Sequence, residues 1–230
     1  MEAFVLCAGK QVRQKKLTSK MMTGINGVPA ISHTLDTVTS IIPEDLVTII
    51  SSELFPDLNH FLIDQYPKAK ILIDNTPGRG TAHSLSISLP WRTDHVFVTE
   101  GDIYYHPQLI SEQIHATAET PKVAAVMGVT PQTTIAPTHR GIELKPMLSI
   151  YDRGESLPSA TYRNIGAHIL TADIAKKVNL EKTTDVIDII KLLYTSGFPV
   201  IAMVYLSTFL HLAEPADVDK WSEYFNSRNS

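Results

Sequence analysis

Two short stretches carry groups that could act together on phosphate. The first is Ala8-Gly9-Lys10-Gln11-Val12-Arg13, followed by Lys20. Gly9 has no side chain, so a ligand can approach its backbone closely. Lys10, Arg13 and Lys20 bring positive charge, Arg13 as a planar fork and Lys20 as a point charge. The second stretch is Glu100-Gly101-Asp102. Mg²⁺ takes hard oxygen ligands and usually needs only one or two from protein, so Asp102 suits a phosphate-bound magnesium. Each stretch also has a plain structural reading: a solvated basic loop, and an aspartate in a turn after glycine.

What positions these groups is a run of alternating elements. Residues 3–8 are continuously apolar and strand-sized, as buried strands are. The loop after such a strand lies at its carboxyl end, where open sheets bind ligands. Further strands are expected at residues 46–50, 71–73, 95–99 and 123–127, and helices at 30–40, 54–65 and 107–118, from their apolar periodicity. This alternation predicts a parallel sheet with crossover helices. Asp102 then falls just past the end of a central strand. The glycines of Gly78-Arg79-Gly80 mark a loop, and Thr81 is a candidate N-cap for a helix reaching toward Leu89. Backbone N–H groups there can meet a ligand's acceptors.

Beyond residue 130 the pattern becomes β-rich, with short strands at 141–145, 147–151 and 162–170. Helices follow at 172–178 and from Thr184 to a stop at Gly197. A strand at 200–205 and a last helix opening at Pro215 complete the chain. The expected fold class is α/β: a Rossmann-like, mostly parallel mixed sheet flanked by helices. A small β-rich lobe at 130–170 sits within a single domain, 1–230, since no long linker precedes it.

Composition narrows the function. The chain has 230 residues, 43% of them hydrophobic, and a net charge of -4. That balance disfavours a nucleic-acid surface, which needs a basic stripe. Cys7 is the single cysteine, so no intrachain disulfide forms, and a reducing compartment is expected. It lies on the first apolar run and reads as a small buried residue before it reads as a nucleophile. No apolar run approaches the ~20 residues of a membrane span, and residues 3–8 are too short for a signal-peptide core. A soluble, cytoplasmic protein without membrane partners is expected. The nine histidines are scattered without zinc-motif spacing.

In this order, the pieces resemble the sugar-phosphate nucleotidyltransferases, also called nucleotide-sugar pyrophosphorylases. The resemblance rests on Ala8-Gly9-Lys10 with Arg13, Ser19-Lys20, Gly27-Val28-Pro29, Gly80-Thr81-Ala82, Phe97 through Asp102, Leu144-Lys145-Pro146, Asn164-Ile165-Gly166, and His211 through Asp217. It implies transfer of a nucleoside monophosphate from a nucleoside triphosphate to a small phosphorylated acceptor, with Mg²⁺ as cofactor and pyrophosphate released. Arg13, Lys20 and Asp102 would be catalytic. Ala8, Gly9, Lys10, Gly80 and Thr81 would hold the nucleotide, and Lys145, Asn164 and Gly166 the acceptor. Asp102 would bind the metal together with His211. This sequence departs from the family pattern at Gln11 (a second loop glycine), Ser19 (proline), Leu144 (an acidic residue) and His211 (a carboxylate). Two alternatives stay open: a non-catalytic nucleotide or sugar-phosphate binder, and a glycosyltransferase. The second is disfavoured by Ile103 and Tyr104 after Asp102, where those enzymes usually place another carboxylate. The base is open, and the acceptor could be a sugar phosphate, phosphocholine or another phosphate or phosphonate ester.

Overall fold

The computed structural model describes residues 1–9, 19–131, 141–144, 149–150, 162–174, 178–180 and 183–228. In chain order the elements begin with β1 (Glu2–Leu6), the short hairpin β2 (Gly24–Ile25) and β3 (Val28–Pro29), and α1 (Ala30–Thr39). Next come β4 (Val47–Ser52), α2 (Pro56–Gln65), β5 (Lys70–Asp74) and α3 (Thr81–Ser86). Then follow β6 (His95–Glu100), β7 (Ile103–Tyr105), α4 (Gln108–Glu119), β8 (Ala125–Pro131), β9 (Gly141–Glu143) and β10 (Ser149–Ile150). The chain continues with β11 (Tyr162–Thr171), α5 (Val186–Thr195), β12 (Val200–Val204), β13 (Phe209–His211) and α6 (Asp217–Arg228). Residues 175–177, the middle of the expected helix at 172–178, lie outside the described residues.

The main sheet runs β12-β8-β11-β6-β1-β4-β5, with β9 and β10 added beside β11. β1 pairs in parallel with β4 and β6, β4 with β5, and β8 with β12. β11 is antiparallel to both of its neighbours, β6 and β8. This is the mostly parallel, mixed α/β sheet that the alternating pattern predicts. Both of its faces are covered. Ala3, Val5 and Cys7 pack with Ile31 and Leu35 of α1, Leu58 and Leu62 of α2, and Leu109 and Ile110 of α4. Phe4, Leu6 and Ala8 pack with Ala82 and Leu85 of α3 and with Val186, Ile189 and Ile190 of α5. Burial on two faces is why β1 reads as an unbroken apolar run.

Three local features shape the carboxyl edge of this sheet. β11 carries a register shift between Asn164 and His168. Gly166 sits within it at φ +70, and Asn164 Oδ1 accepts from the Gly166 N–H at 3.0 Å. A Cβ at Gly166 would crowd Ile103 and the Glu100 carboxyl at 3.3–3.4 Å, so glycine lets the bulge approach β6. Second, β7 and β13 form a small antiparallel pair that sets His211 opposite Ile103. Third, Gly80, not Thr81, is the N-cap of α3. Thr81 serves the neighbouring helix instead: its Oγ1 accepts from Val186 N at 2.9 Å, while Ala82 N donates to Thr184 O at 3.2 Å. The last helix also begins later than the Pro215 start. Asp217 Oδ2 accepts from the N–H groups of Ala213 and Glu214, at 3.0 and 2.9 Å, so the chain turns first and the helix begins at Asp217.

Gly80 holds φ +103, and a Cβ there would lie 1.9 Å from Thr184 O. Gly80→Ala is expected to cost at least about 2 kcal/mol, since overpacking and left-handed strain add; urea unfolding measures it. A second test concerns His168, which is buried between Val98 and Met127 with no partner on Nδ1. Burial pushes its pKa down from 6.5 to about 3. The unfolded chain therefore takes up this proton first as pH falls. Stability present above pH 6.5 is lost toward pH 3, by about 1.4 kcal/mol per pH unit. In urea titrations from pH 6.5 downward, wild type should lose stability more steeply than His168→Leu; equal slopes would refute this.

Candidate functional site

The site grows from the ends of β1 and β6. Ala8 is buried beside α3, whereas Gly9 is exposed, with open space where a Cβ would sit. Residues 10–18, with the expected contributors Lys10 and Arg13, lie outside the described residues, as does Lys145. The chain returns at Ser19, whose Oγ accepts from Met21 N at 3.2 Å and caps a 3-10 turn, Lys20–Met22. This turn aims Lys20 across the sheet edge.

Lys20 Nζ donates to Asp102 Oδ2 and to Leu212 O, the latter at 3.3 Å. Asp102 is 4% exposed and is further anchored through its backbone, its carbonyl accepting from Leu212 N at 2.8 Å. On the other side, His211 Nε2 lies 3.3 Å from the same Asp102 oxygen. Glu100 completes the cluster: ligand atoms of Glu100, Asp102 and His211 all lie within 4.8 Å of one another. Because residues 100 and 102 flank Gly101 at a strand end, their side chains can face the same way.

The charges are unequal partners. Burial opposes ionisation of Asp102, but the adjacent Lys20 ammonium and His211 outweigh it and hold this carboxyl below the usual carboxylate range. Glu100 moves the other way. Burial, and then the Asp102 charge, push its pKa up, with His211 and Lys20 opposing. Glu100 and Asp102 thus meet the Lys20 ammonium at this edge, with the Arg163 guanidinium and the Asp185 carboxylate within electrostatic reach. Cys7 lies beneath them. Burial, and then Asp102, push its thiol pKa up, so it is a neutral packing group.

Around this centre, Arg163 at the start of β11 places Nη2 2.6 Å from His211 Nδ1 and lies 5.0 Å over the Phe209 ring. Asn164 and Gly166 stand at the same edge, in the bulge opposite Glu100. On the α3 side, Thr81 Oγ1 donates to Asp185 Oδ1 at 3.4 Å, and the Asp185 charge reaches Glu100. The loop before Gly80 is tied down by fully buried Asp74, which accepts from Thr76 N at 2.7 Å and from Ser84 Oγ at 3.2 Å.

The structure therefore brings Lys20, Asp102 and His211 into direct contact, and gathers Asn164 and Gly166 beside them. Gly80 and Thr81 adjoin Ala8 through α3, although the Ala82 N–H is already used within the protein. Sequence reasoning passed over Glu100, Arg163 and Asp74. Glu100 had a readable signal, a second carboxylate two positions before Asp102. Nothing local signals Arg163, whose partner lies 48 residues away.

Known proteins resemble this chain in sequence and in fold. Over 227 residues, the chain is 26% identical to the bifunctional protein GlmU of Leifsonia xyli subsp. xyli. The match takes in 90% of this chain but 45% of that protein, so the chain spans less than half of its relative's length. Among solved structures, the inositol-1-phosphate CTP transferase from T. maritima superposes with a TM-score of 0.77 at 15% identity, over 96% of this chain and 94% of that one. A candidate glucose-1-phosphate thymidylyltransferase from Bacillus anthracis, crystallised with sucrose, gives 0.78 at 16% identity, over 97% and 94%. Those likenesses concern the fold. The MobA-like NTP transferase domain matches residues 3–172, most of the chain, and the protein belongs to that family.

Proposed function

We propose that this protein transfers a nucleoside monophosphate from a nucleoside triphosphate to a small phosphorylated acceptor, a sugar phosphate or similar ester. An acceptor phosphate oxygen attacks the α-phosphorus; that P–O bond forms, the bond to the β-phosphate bridge breaks, and pyrophosphate leaves with the electron pair. The observation that carries this reading is the Lys20–Asp102–Glu100 cluster at the carboxyl edge of β1 and β6, in a chain of the NTP transferase family.

The donor set fits magnesium: the carboxyl groups of Glu100 and Asp102, within reach of each other, supply hard oxygens. When bound, Mg²⁺ would neutralise phosphate charge and orient the triphosphate. Asp102 and Glu100 would hold it. Lys20 would turn from Asp102 toward the phosphates and neutralise the charge developing on the leaving group. Lys10 and Arg13 would grip the triphosphate, while Ala8, Gly9, Gly80 and Thr81 frame the nucleoside. Asn164 and Gly166, with Lys145, would line the acceptor's side. Phosphoryl-type transfer needs positioning and charge more than covalent help, in keeping with the neutral, buried Cys7. No helix among the described residues is long and apolar enough to cross a membrane. The single cysteine supports a reducing, cytoplasmic setting.

A matrix of the common nucleoside triphosphates against phosphorylated acceptors, read as pyrophosphate release with Mg²⁺, tests the activity. One pair should release pyrophosphate well above the rest. Tight nucleotide binding by calorimetry with no release from any pair would instead favour a non-catalytic binder. With the active pair, Lys20→Ala and Asp102→Ala should each lower turnover about a hundredfold, the scale of one lost oriented charge, ~2.7–4 kcal/mol. Turnover within a few-fold of wild type in both would refute the assignment. Glu100→Gln should raise the Mg²⁺ concentration for half-maximal activity by ~10–100-fold, as loss of a metal-site partner does.

A further inference from the structure

Arginine has five N–H donors, no acceptor, and a charge it keeps. With Arg163 Nη2 at 2.6 Å, His211 Nδ1 must be the accepting nitrogen. A neutral imidazole that accepts at Nδ1 carries its proton on Nε2. That nitrogen is the one 3.3 Å from Asp102 Oδ2. We infer that Arg163 fixes His211 as an Nε2–H donor to Asp102, so that His211 positions the Asp102 carboxylate and is not itself a ligand of the metal.

The geometry leaves little room for the alternative. To ligate through Nε2, the ring would need its proton on Nδ1, aimed at an arginine N–H 2.6 Å away, or no proton at all. Both are costly beside a guanidinium. Arg163 is also held in place, since it lies over Phe209. Phe209 and His211 sit two residues apart on β13 and share one face, with ring centroids 6.5 Å apart. The strand thus presents a shelf and an imidazole to the same guanidinium. Oriented in this way, His211 does for Asp102 what outer partners do for metal ligands: it fixes the direction of the carboxylate. The sequence-based reading of His211 as an imidazole ligand gives way to a chain Arg163–His211–Asp102. His211 then acts as a donor, and the second oxygen-bearing group of the cluster is Glu100.

The inference rests on the proposed function only in giving Asp102 a metal to hold. Nitrogen chemical shifts of His211 in ¹⁵N-histidine-labelled full-length protein test it directly. We expect Nε2 protonated and Nδ1 bare, both without metal and with saturating Mg²⁺ and a non-hydrolysable nucleoside triphosphate. A proton on Nδ1, or loss of the Nε2 proton on adding Mg²⁺, would overturn it. Carboxyl carbon shifts of Asp102 and Glu100, recorded in the same titration, separate the two claims. If they stay unmoved while Nε2 keeps its proton, the metal reading fails and the donor assignment stands.

Kinetics supply a second readout. His211→Gln retains an N–H donor and should keep the Mg²⁺ requirement within about threefold of wild type, whereas His211→Ala and Arg163→Leu should raise it ~10–100-fold. Because Arg163 acts through the ring, Arg163→Leu should add little in the His211→Gln background. An equal penalty in both backgrounds would place Arg163 in some other role and overturn the inference.

Discussion

A carboxylate that is almost wholly buried at the end of a strand is costly unless something compensates its charge. Asp102 is such a group, and the Lys20 ammonium is its compensation. Much of the carboxyl edge follows from this pairing. It ties the far end of the basic loop to β6. It brings the Lys20–Met22 turn against the segment after β13, where Leu212 meets both the lysine and the Asp102 backbone. Beside this pair, burial and then the Asp102 charge push Glu100 toward its neutral form. In the proposed reaction the same ammonium would turn to phosphate.

The sheet makes that arrangement rigid. β1 and β6 are pinned between two helical layers, so their ends are fixed platforms. Three less regular pieces complete the cluster on that platform: the β11 bulge, the β7–β13 pair, and the Gly80 junction between α3 and α5. Tight local features flank these pieces. Gly166 admits β11 next to Glu100, Gly80 admits the Thr184 carbonyl, and Asp217 folds the chain back before α6. Irregular backbone on a rigid scaffold is where binding groups tend to concentrate.

How much of this is legible in the sequence depends on the range of the interaction. β1, β4, β6 and the helices between them announce themselves, because strands buried on both faces are apolar without interruption and amphipathic helices repeat at 3.6 residues. Asp102 and Lys20 stand out as charges beside such strands. The Thr81 cap was misread for a physical reason: its hydroxyl satisfies Val186 N, 105 residues away, and no local pattern encodes that choice. β7 and β13 are three residues each, too short for periodicity, and they exist because they pair with each other. The contact of His211 with Arg163 spans 48 residues, and no local pattern encodes it. Glu100 was within reach of the sequence, since two carboxylates across one glycine at a strand end share a side.

The central claim is that the α-phosphate of a nucleoside triphosphate ends on the phosphate of a small acceptor. The most direct measurement uses a triphosphate labelled with ³²P at the α position, together with Mg²⁺ and the acceptor that gives most pyrophosphate. The label should move into a new pyrophosphate-linked nucleotide–acceptor product, in equal amount to the pyrophosphate released and only when acceptor is present. Label recovered as free nucleoside monophosphate or diphosphate, or left wholly in the triphosphate with every acceptor, would contradict it.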